Sequence, residues 1–315
     1  MNTMRMRVER IDVLTPAIRR LKLVSANGSP LPVATPGAHI GIDVPIDART
    51  QRRAYSLVAS TDKEYEIAVQ LEPASTGGSR WVHALEVGME LDVGTPLNAF
   101  ELAPNAVHSV LIAGGIGITP ILSMARALRA SQASFALHYA ARDAASMAYH
   151  DEVQTLAEAT CWLDGGDPRN GLPLASAIGA PAPDVHLYVC GPAGLIDATL
   201  ACARTLGWPE HQLHSERFLA QSAEDDTDQA FEVELAASGR TLTVPAGRTI
   251  LDVMIDAGLD PMFDCKRGDC GVCATQLLKG EPEHRDICLS AADHDSGQFC
   301  PCVSRARSPR LVLDA

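Results

Sequence analysis

A chain of 315 residues is longer than one ordinary hydrophobic core requires and reads as two or three domains. With 46% hydrophobic and 21% charged residues it has the make-up of a globular protein, and a net charge of −13 opposes non-specific binding to nucleic acid or to an anionic membrane surface. The first residues, Met1 to Glu9, hold no signal-peptide core, and no run of roughly 18 apolar residues occurs, so no membrane span is expected. Nine cysteines without a secretory start imply a reducing, cytoplasmic setting, where grouped thiols bind metal or do chemistry.

From residue 5 to about 100, β-type runs alternate with Gly and Pro: Arg19 to Val24, His39 to Val44, Glu64 to Leu71 and Glu90 to Val93. In Tyr65 to Leu71 the odd positions are apolar, the period of a half-buried strand. Such spacing predicts a sandwich or small barrel, with helical pattern only at about Ser79 to Leu85. Arg52 to Leu57 stands out by residue type, since in a strand Arg53 and Tyr55 would share a face. A guanidinium fork, a flat amphipathic ring and the Ser56 hydroxyl suit a flavin and its phosphate; an edge strand with a surface arginine is the plainer reading. Gly77-Gly78-Ser79 opens the helical segment, where Ser79 is expected as its cap; phosphate binding and a plain turn both fit.

Near residue 105 the pattern changes to α/β alternation. Ser109 to Ala113 is a near-continuous apolar run, as in a strand buried on both faces. It enters Gly114-Gly115-Ile116-Gly117-Ile118-Thr119-Pro120 and then a helix over Ile121 to Ala130, with Thr119 expected as N-cap and Pro120 as first helical residue. Strand, glycine loop and helix start together suggest a dinucleotide cradle, although Pro120 takes the place of the third glycine of the usual fingerprint. Strands at Phe135 to Ala141 and Val185 to Cys190, with helical segments near Met147 to Ala159 and Leu195 to Leu206, repeat the βαβ unit. Cys190-Gly191-Pro192 lies at a strand's carboxyl end, where open α/β sheets bind ligands; a buried thiol is the plainer reading of Cys190. Arg142 and Asp143 stand where an adenosine ribose is met, one base and one acid, with NADH favoured over NADPH.

Leu219 to Gln229 is acidic and aperiodic and reads as a linker. A hairpin follows, Phe231 to Leu235 and Arg240 to Val244 about Ser238-Gly239, then a helix from about Ile250 to Ala257. Cys265, Cys270 and Cys273 then give the C-x4-C-x2-C spacing of a plant-type [2Fe-2S] ligand set, whose fourth thiolate comes from far downstream. Gly268 and Gly271 supply permissive backbone for a tight loop around a cluster. Cys288, Cys300 and Cys302 are candidates for the fourth ligand, with Cys302, which begins Cys-Val-Ser-Arg and gives the longest return, favoured. A structural zinc site would want a second close pair, and Cys300-x-Cys302 fits its spacing poorly.

Taken in order, Arg53-Ala54-Tyr55-Ser56-Leu57, the Gly114 to Pro120 turn with Cys190-Gly191-Pro192, and the four cysteines resemble the phthalate dioxygenase reductase family, which includes the reductase components of vanillate and other aromatic O-demethylases. The resemblance implies an FMN-binding β-barrel over 1–103, an NAD-binding α/β domain over 104–222 and a ferredoxin domain of β-grasp type over 229–315. It also implies that Arg53, Ala54, Tyr55 and Ser56 hold the flavin, with Ala68 and Val69 along its ring and Gly78 and Ser79 at its phosphate. Gly114, Gly115, Gly117, Thr119 and Arg142 would line the nucleotide, Cys190 and Gly191 the nicotinamide, and Glu216 and Phe218 the segment closing over the flavin. Ser56, Thr119, Cys190, Glu216 and Phe218 would then surround the reacting atoms, and Cys265, Cys270, Cys273 and Cys302 would carry the cluster. The implied activity is an NADH-dependent flavin and iron–sulphur oxidoreductase of aromatic catabolism, a monomer feeding electrons singly to a terminal Rieske oxygenase. The same relay serving a cytochrome P450 or diiron hydroxylase, and a non-catalytic redox-sensing iron–sulphur protein, are the alternatives.

Overall fold

In the computed structural model, which describes residues 3–46, 49–73, 77–218, 228–263, 268, 271–286, 288–289 and 291–315, the β-type runs of the first hundred residues close into a six-stranded barrel. Its strands are β1 (Thr3–Thr15), β2 (Ile18–Ser25), β3 (His39–Ile46), β4 (Arg49–Ser60), β5 (Glu64–Gln70) and β6 (Glu90–Gly94), with the short helix α1 (Gly78–His83) between the last two. Around the ring the order is β1-β2-β5-β4-β3-β6, each neighbour antiparallel, and β6 pairs with β1 to close it. Closure removes the exposed edges that short strands would otherwise present. Leu21, Leu23, Ile40, Ile42, Tyr65, Ile67 and Val93 fill one apolar core.

β5 departs from the half-buried expectation, because Tyr65 through Val69 are all buried. The odd residues Tyr65, Ile67 and Val69 pack in the barrel core, while Ala68 joins Ile18 and Val58 in a second core shared with Leu111, Ile121 and Tyr139. Glu66 lies beside Ala68 and is 6% exposed. Its carboxylate accepts from the Tyr149 hydroxyl at 3.1 Å and lies 3.6 Å from Arg126, which also donates to the Val58 carbonyl at 3.0 Å and to both oxygens of Glu152 at 2.7 Å. A carboxylate so far out of water is tolerable only with partners of this kind.

The sheet that shares this core is entirely parallel: β7 (His108–Gly114), β8 (Phe135–Ala141), β9 (Ala159–Leu163), β10 (Val185–Gly191) and β11 (Leu213–Arg217), in the order β11-β10-β7-β8-β9. Helices α2 (Ile118–Ala130), α3 (His150–Gln154), α4 (Leu174–Ile178) and α5 (Ala193–Thr205) connect the strands. The helix expected near Met147 to Ala159 contracts to α3, and Ala159 instead begins the edge strand β9. Both expected helix caps shift. Gly77 caps α1, so Ser79 sits inside the first turn; Gly117 caps α2, because a 3-10 turn over Gly115–Gly117 runs straight into it. Thr119 and Pro120 are therefore second and third in α2, where a missing N–H costs nothing.

Barrel and parallel sheet belong to one compact unit, Met1–Phe218, and Leu219–Ala315 form another. The part of the expected linker at 219–227 lies outside the described residues. In the second unit β12 (Phe231–Leu235) and β13 (Arg240–Val244) form the expected hairpin, and α6 (Ile250–Asp256) is capped by Thr249, whose hydroxyl accepts from the Asp252 amide at 3.0 Å. β14 (Thr275–Lys279), β15 (Pro282–Glu283), α7 (Ala291–Asp295), β16 (Gln298–Phe299), β17 (Arg305–Ala306) and β18 (Arg310–Leu313) complete it. The main sheet runs β13-β12-β18-β14-β16, with β12 and β18 parallel at its centre, and a small β15-β17 ladder stands apart. Among the described residues no helix is long and apolar enough to cross a membrane.

His214 on β11 stacks on Tyr188 at 4.6 Å between ring centres and lies 2.9 Å from the His186 ring nitrogen. Burial, reinforced by His186 and His211, pushes its pKa down to about 4. The fold thus favours the neutral ring, so its contribution is complete above the unfolded value near 6.5 and is lost as pH falls toward 4. The denaturation midpoint of the parent should drop across that window, and His214→Asn should show a shallower pH slope; an identical slope would remove His214 from the account.

Candidate functional site

On β4, Arg53, Ala54, Tyr55 and Ser56 pair with Ile42, Gly41, Ile40 and His39 of β3. Arg53 and Tyr55 share one face by strand alternation, as expected. The Arg53 stem lies against α1: a methyl at Gly78 would stand 3.1 Å from Arg53 Cγ. Sequence-distant Arg53 and Gly78 are therefore brought together. Arg53 donates to Gln51 Oε1 at 2.6 Å, and its burial lowers the guanidinium pKa. Burial also pushes Tyr55 up to about 12 against the opposing pull of Arg53. Ser79 Oγ accepts from the Glu72 amide at 3.1 Å. Ser56 is 5% exposed, and its hydroxyl has no hydrogen-bond partner among the described residues. A buried hydroxyl left in that condition costs about 1–3 kcal/mol, which a bound polar group would offset. Ala68 and Val69 are buried on β5.

At the carboxyl end of the parallel sheet Ala113, Cys190 and Glu216 stand side by side across β7, β10 and β11. Chain order reverses between β7 and β10, the switch point at which open sheets bind ligands. The backbone there is unusually close. A methyl at Gly117 would lie 2.3 Å from the Cys190 carbonyl oxygen, and one at Gly191 2.9 Å from Gly114 Cα. Gly115 has φ +53 and open space beside it. Thr119 is buried and donates to the Ile116 carbonyl at 3.0 Å; Cys190 and Glu216 are buried, and Phe218 packs on the shared core. Arg142 is exposed after β8 beside Gly166, whereas the Asp143 carboxylate accepts from the Ser146 amide at 2.8 Å as a turn cap. Because α2 packs on β4 and the 115–117 turn touches β5, the barrel residues and the glycine turn adjoin within this unit.

In the second unit Cys273, Cys300 and Cys302 are buried in one cluster with Leu251, and Cys288 packs against it. Cys265 and Cys270 lie outside the described residues. The Cys300 and Cys302 thiols both lie beside Cys273, and Cys288 lies beside Cys300 at 3.6 Å between sulfurs. Gly268 has φ +77, and a methyl on it would meet Asp286 Cα at 2.9 Å. The Cys288 amide donates to the Gly268 carbonyl at 3.1 Å, so the downstream segment is tied to the cysteine loop. Asp286, its side chain fully buried, accepts from Ser304 Oγ and from His294 Nε2, each at 2.9 Å. Sequence reasoning missed Asp286, His294 and Ser304, as it missed Glu66 and Arg126; the one available signal was Ser304, two positions after Cys302.

Residues 233–307 match the model of the 2Fe-2S iron-sulfur cluster binding domain, and residues 111–161 that of the oxidoreductase NAD-binding domain. The vanillate O-demethylase oxidoreductase of Acinetobacter baylyi is 37% identical, over 98% of this chain and 97% of its own. A solved structure of phthalate dioxygenase reductase, described as modular for electron transfer from pyridine nucleotides to [2Fe-2S], superposes with a TM-score of 0.80 at 35% identity over 100% of this chain and 98% of that one. The chain belongs to the phthalate dioxygenase reductase family. The crystal structure of an intact type IV self-sufficient cytochrome P450 monooxygenase also matches, at TM-score 0.78 and 33% identity over 99% of this chain but 41% of that one. The expected fold class is borne out, and so is an oxidoreductase with flavin, nicotinamide and [2Fe-2S] parts. The non-catalytic alternative falls.

The residues present suit the family's groups. Converging buried thiols suit iron, the unsatisfied Ser56 hydroxyl near a desolvated arginine and tyrosine suits a flavin, and the close backbone at Gly117 and Gly191 suits a pyrophosphate. Gly117→Ala should cost about 1–3 kcal/mol through collision with backbone, read as a lower denaturation midpoint. Gly194→Ala in α5, where a methyl meets nothing within 4 Å, should leave the midpoint unchanged or slightly raised; equal effects would contradict the close approach.

Proposed function

We propose that the protein is the reductase component of a multicomponent aromatic-ring oxygenase or O-demethylase, taking electrons from NADH through FMN and the [2Fe-2S] cluster to a terminal Rieske oxygenase in the cytoplasm. The observation that carries this reading is one chain holding, in order, a barrel with a buried Arg53-Tyr55-Ser56 strand, a switch-point glycine turn and a thiol-lined C-terminal fold. FMN rather than FAD is favoured by the ferredoxin part coming last, and by Arg53 packing against Gly78, a cradle for one terminal phosphate. The parts are 1–103 for flavin, 104–222 for nucleotide and 229–315 for the cluster, acting as a monomer.

When bound, the flavin exchanges a two-electron donor for single electrons, and the cluster gives them an outlet at about −400 mV. The chain's own residues hold and orient. Arg53, with Gly78 and Ser79, meets the phosphate; Ala54, Tyr55, Ala68 and Val69 bound the ring; and the Ser56 hydroxyl gains the partner it lacks. Gly114, Gly115, Gly117 and Thr119 admit the nucleotide backbone, Arg142 faces its adenosine end, and Cys190, Gly191, Glu216 and Phe218 keep water from the reacting atoms. Cys265, Cys270, Cys273 and Cys302 hold iron, with Cys302 preferred because Cys300 lies against Cys288. A second reading has the same relay feeding a cytochrome P450, favoured by the matching P450 chain in which such a segment is fused to its partner.

Flavin released from the purified holoprotein should chromatograph as FMN. Cys302→Ser should retain bleaching of the flavin by NADH while reduction of added cytochrome c falls by at least about tenfold, a loss of more than roughly 1.4 kcal/mol in barrier terms. Loss of both activities, or of neither, would count against this assignment.

A further inference from the structure

The segment from Cys265 to Cys302 holds six cysteines, and a plant-type cluster uses four. With Cys265, Cys270, Cys273 and Cys302 as the proposed ligands, two remain, and the fold sets them against each other: Cys288 Sγ and Cys300 Sγ are 3.6 Å apart. Cys300 is fully buried and neighbours Cys273, while Cys288 is half-buried and the more accessible residue of the pair. Cys288 is also fixed to the cysteine loop. Its amide donates to the Gly268 carbonyl at 3.1 Å, and a methyl at Gly271 would stand 3.7 Å from its sulfur.

We propose that Cys288 and Cys300 form a dithiol that hydrogen peroxide oxidises to a disulfide beside the cluster, a modification site separate from the iron ligands. Reduced flavin in air is a direct source of that oxidant, and the proposal rests on the ligand set above. In the first step the Cys288 sulfur attacks one peroxide oxygen, the O–O bond breaks, and water leaves to give a sulfenic acid. In the second, the Cys300 sulfur attacks Cys288, the S–O bond breaks, a second water leaves and the S–S bond forms. Two thiols lose two electrons and two protons, and one peroxide becomes two waters. An added dithiol reductant reverses the change by thiol–disulfide exchange.

A metal ion held by Asp286, Cys288 and Cys300, whose ligand atoms lie within 4.8 Å of one another, is the competing use of the pair. Both Asp286 carboxylate oxygens already accept, one from Ser304 and one from His294, so such an ion would share them with those donors, whereas the dithiol needs the two sulfurs alone.

The test uses the holoprotein, treated with hydrogen peroxide in sub-stoichiometric steps, quenched with an alkylating agent, digested without reduction and mapped by mass spectrometry, with cluster absorbance followed in parallel. A peptide pair joined through Cys288 and Cys300 should accumulate while at least about nine-tenths of the cluster absorbance remains, and dithiothreitol should remove it. Cys288→Ser should lose the linked pair. Alkylated Cys288 and Cys300 at the point of bleaching, or a link formed only after bleaching, would overturn the proposal. So would stoichiometric zinc in the protein as purified. A Cys300→Ser protein lacking iron while Cys302→Ser retains it would overturn it by a different route, through the ligand set and not the dithiol chemistry.

Discussion

The first unit depends on one apolar core that belongs to neither of its halves alone. Ile18, Val58 and Ala68 from the barrel and Leu111, Ile121 and Tyr139 from the parallel sheet pack in the same cluster, so barrel and sheet cannot slide without opening it. Into that core the fold admits the carboxylate of Glu66, bound by Tyr149 and Arg126 from the other half. Removing one partner from such a group typically costs about 3–5 kcal/mol, so the network also fixes register. The consequence is functional: the strand carrying Arg53, Tyr55 and Ser56 is held at a constant relation to the turn carrying Gly115 and Gly117. Electron transfer between two bound groups needs that constancy more than it needs any acid or base.

Much of this was legible in the residues, and the parts that were not share a cause. β7 was readable because burial on both faces leaves an uninterrupted apolar run, and the hairpin at Phe231 to Val244 because Gly239 marks its turn. β9 and β11 were hidden, being five-residue edge strands with mixed burial. The alternation of β5 suggested one solvated face because Glu66 and Ala68 are individually compatible with water; only the sheet packed over them makes that face interior. Thr119 and Ser79 have the chemistry of caps, but preceding glycines in tight turns start each helix earlier. Local propensity lost there to backbone geometry.

The site followed the same rule. Residues whose chemistry is unusual for their setting, the C-x4-C-x2-C run and the glycine turn, announced themselves, whereas the groups supporting them did not. Nothing in the sequence links Asp286 to Ser304 and His294, although this buried network ties the segment before Cys288 to the residues after Cys302. Nor could spacing say which of three downstream cysteines completes the ligand set, since Cys300 and Cys302 are both buried beside Cys273. What distinguishes Cys300 is its second sulfur neighbour, Cys288 at 3.6 Å, a contact between residues twelve apart that no spacing rule announces.

The central claim is that one chain takes a pair of electrons from a nicotinamide and delivers them singly through iron and sulfide. Anaerobic titration of the reconstituted holoprotein with NADH, followed by visible absorption and low-temperature electron paramagnetic resonance, tests it most directly. The account requires the flavin absorbance to bleach and a reduced [2Fe-2S] signal to appear in the same titration, in amount comparable to the protein. A flavin that bleaches beside a cluster that stays oxidised, or a preparation with no iron-based signal under dithionite, would contradict it.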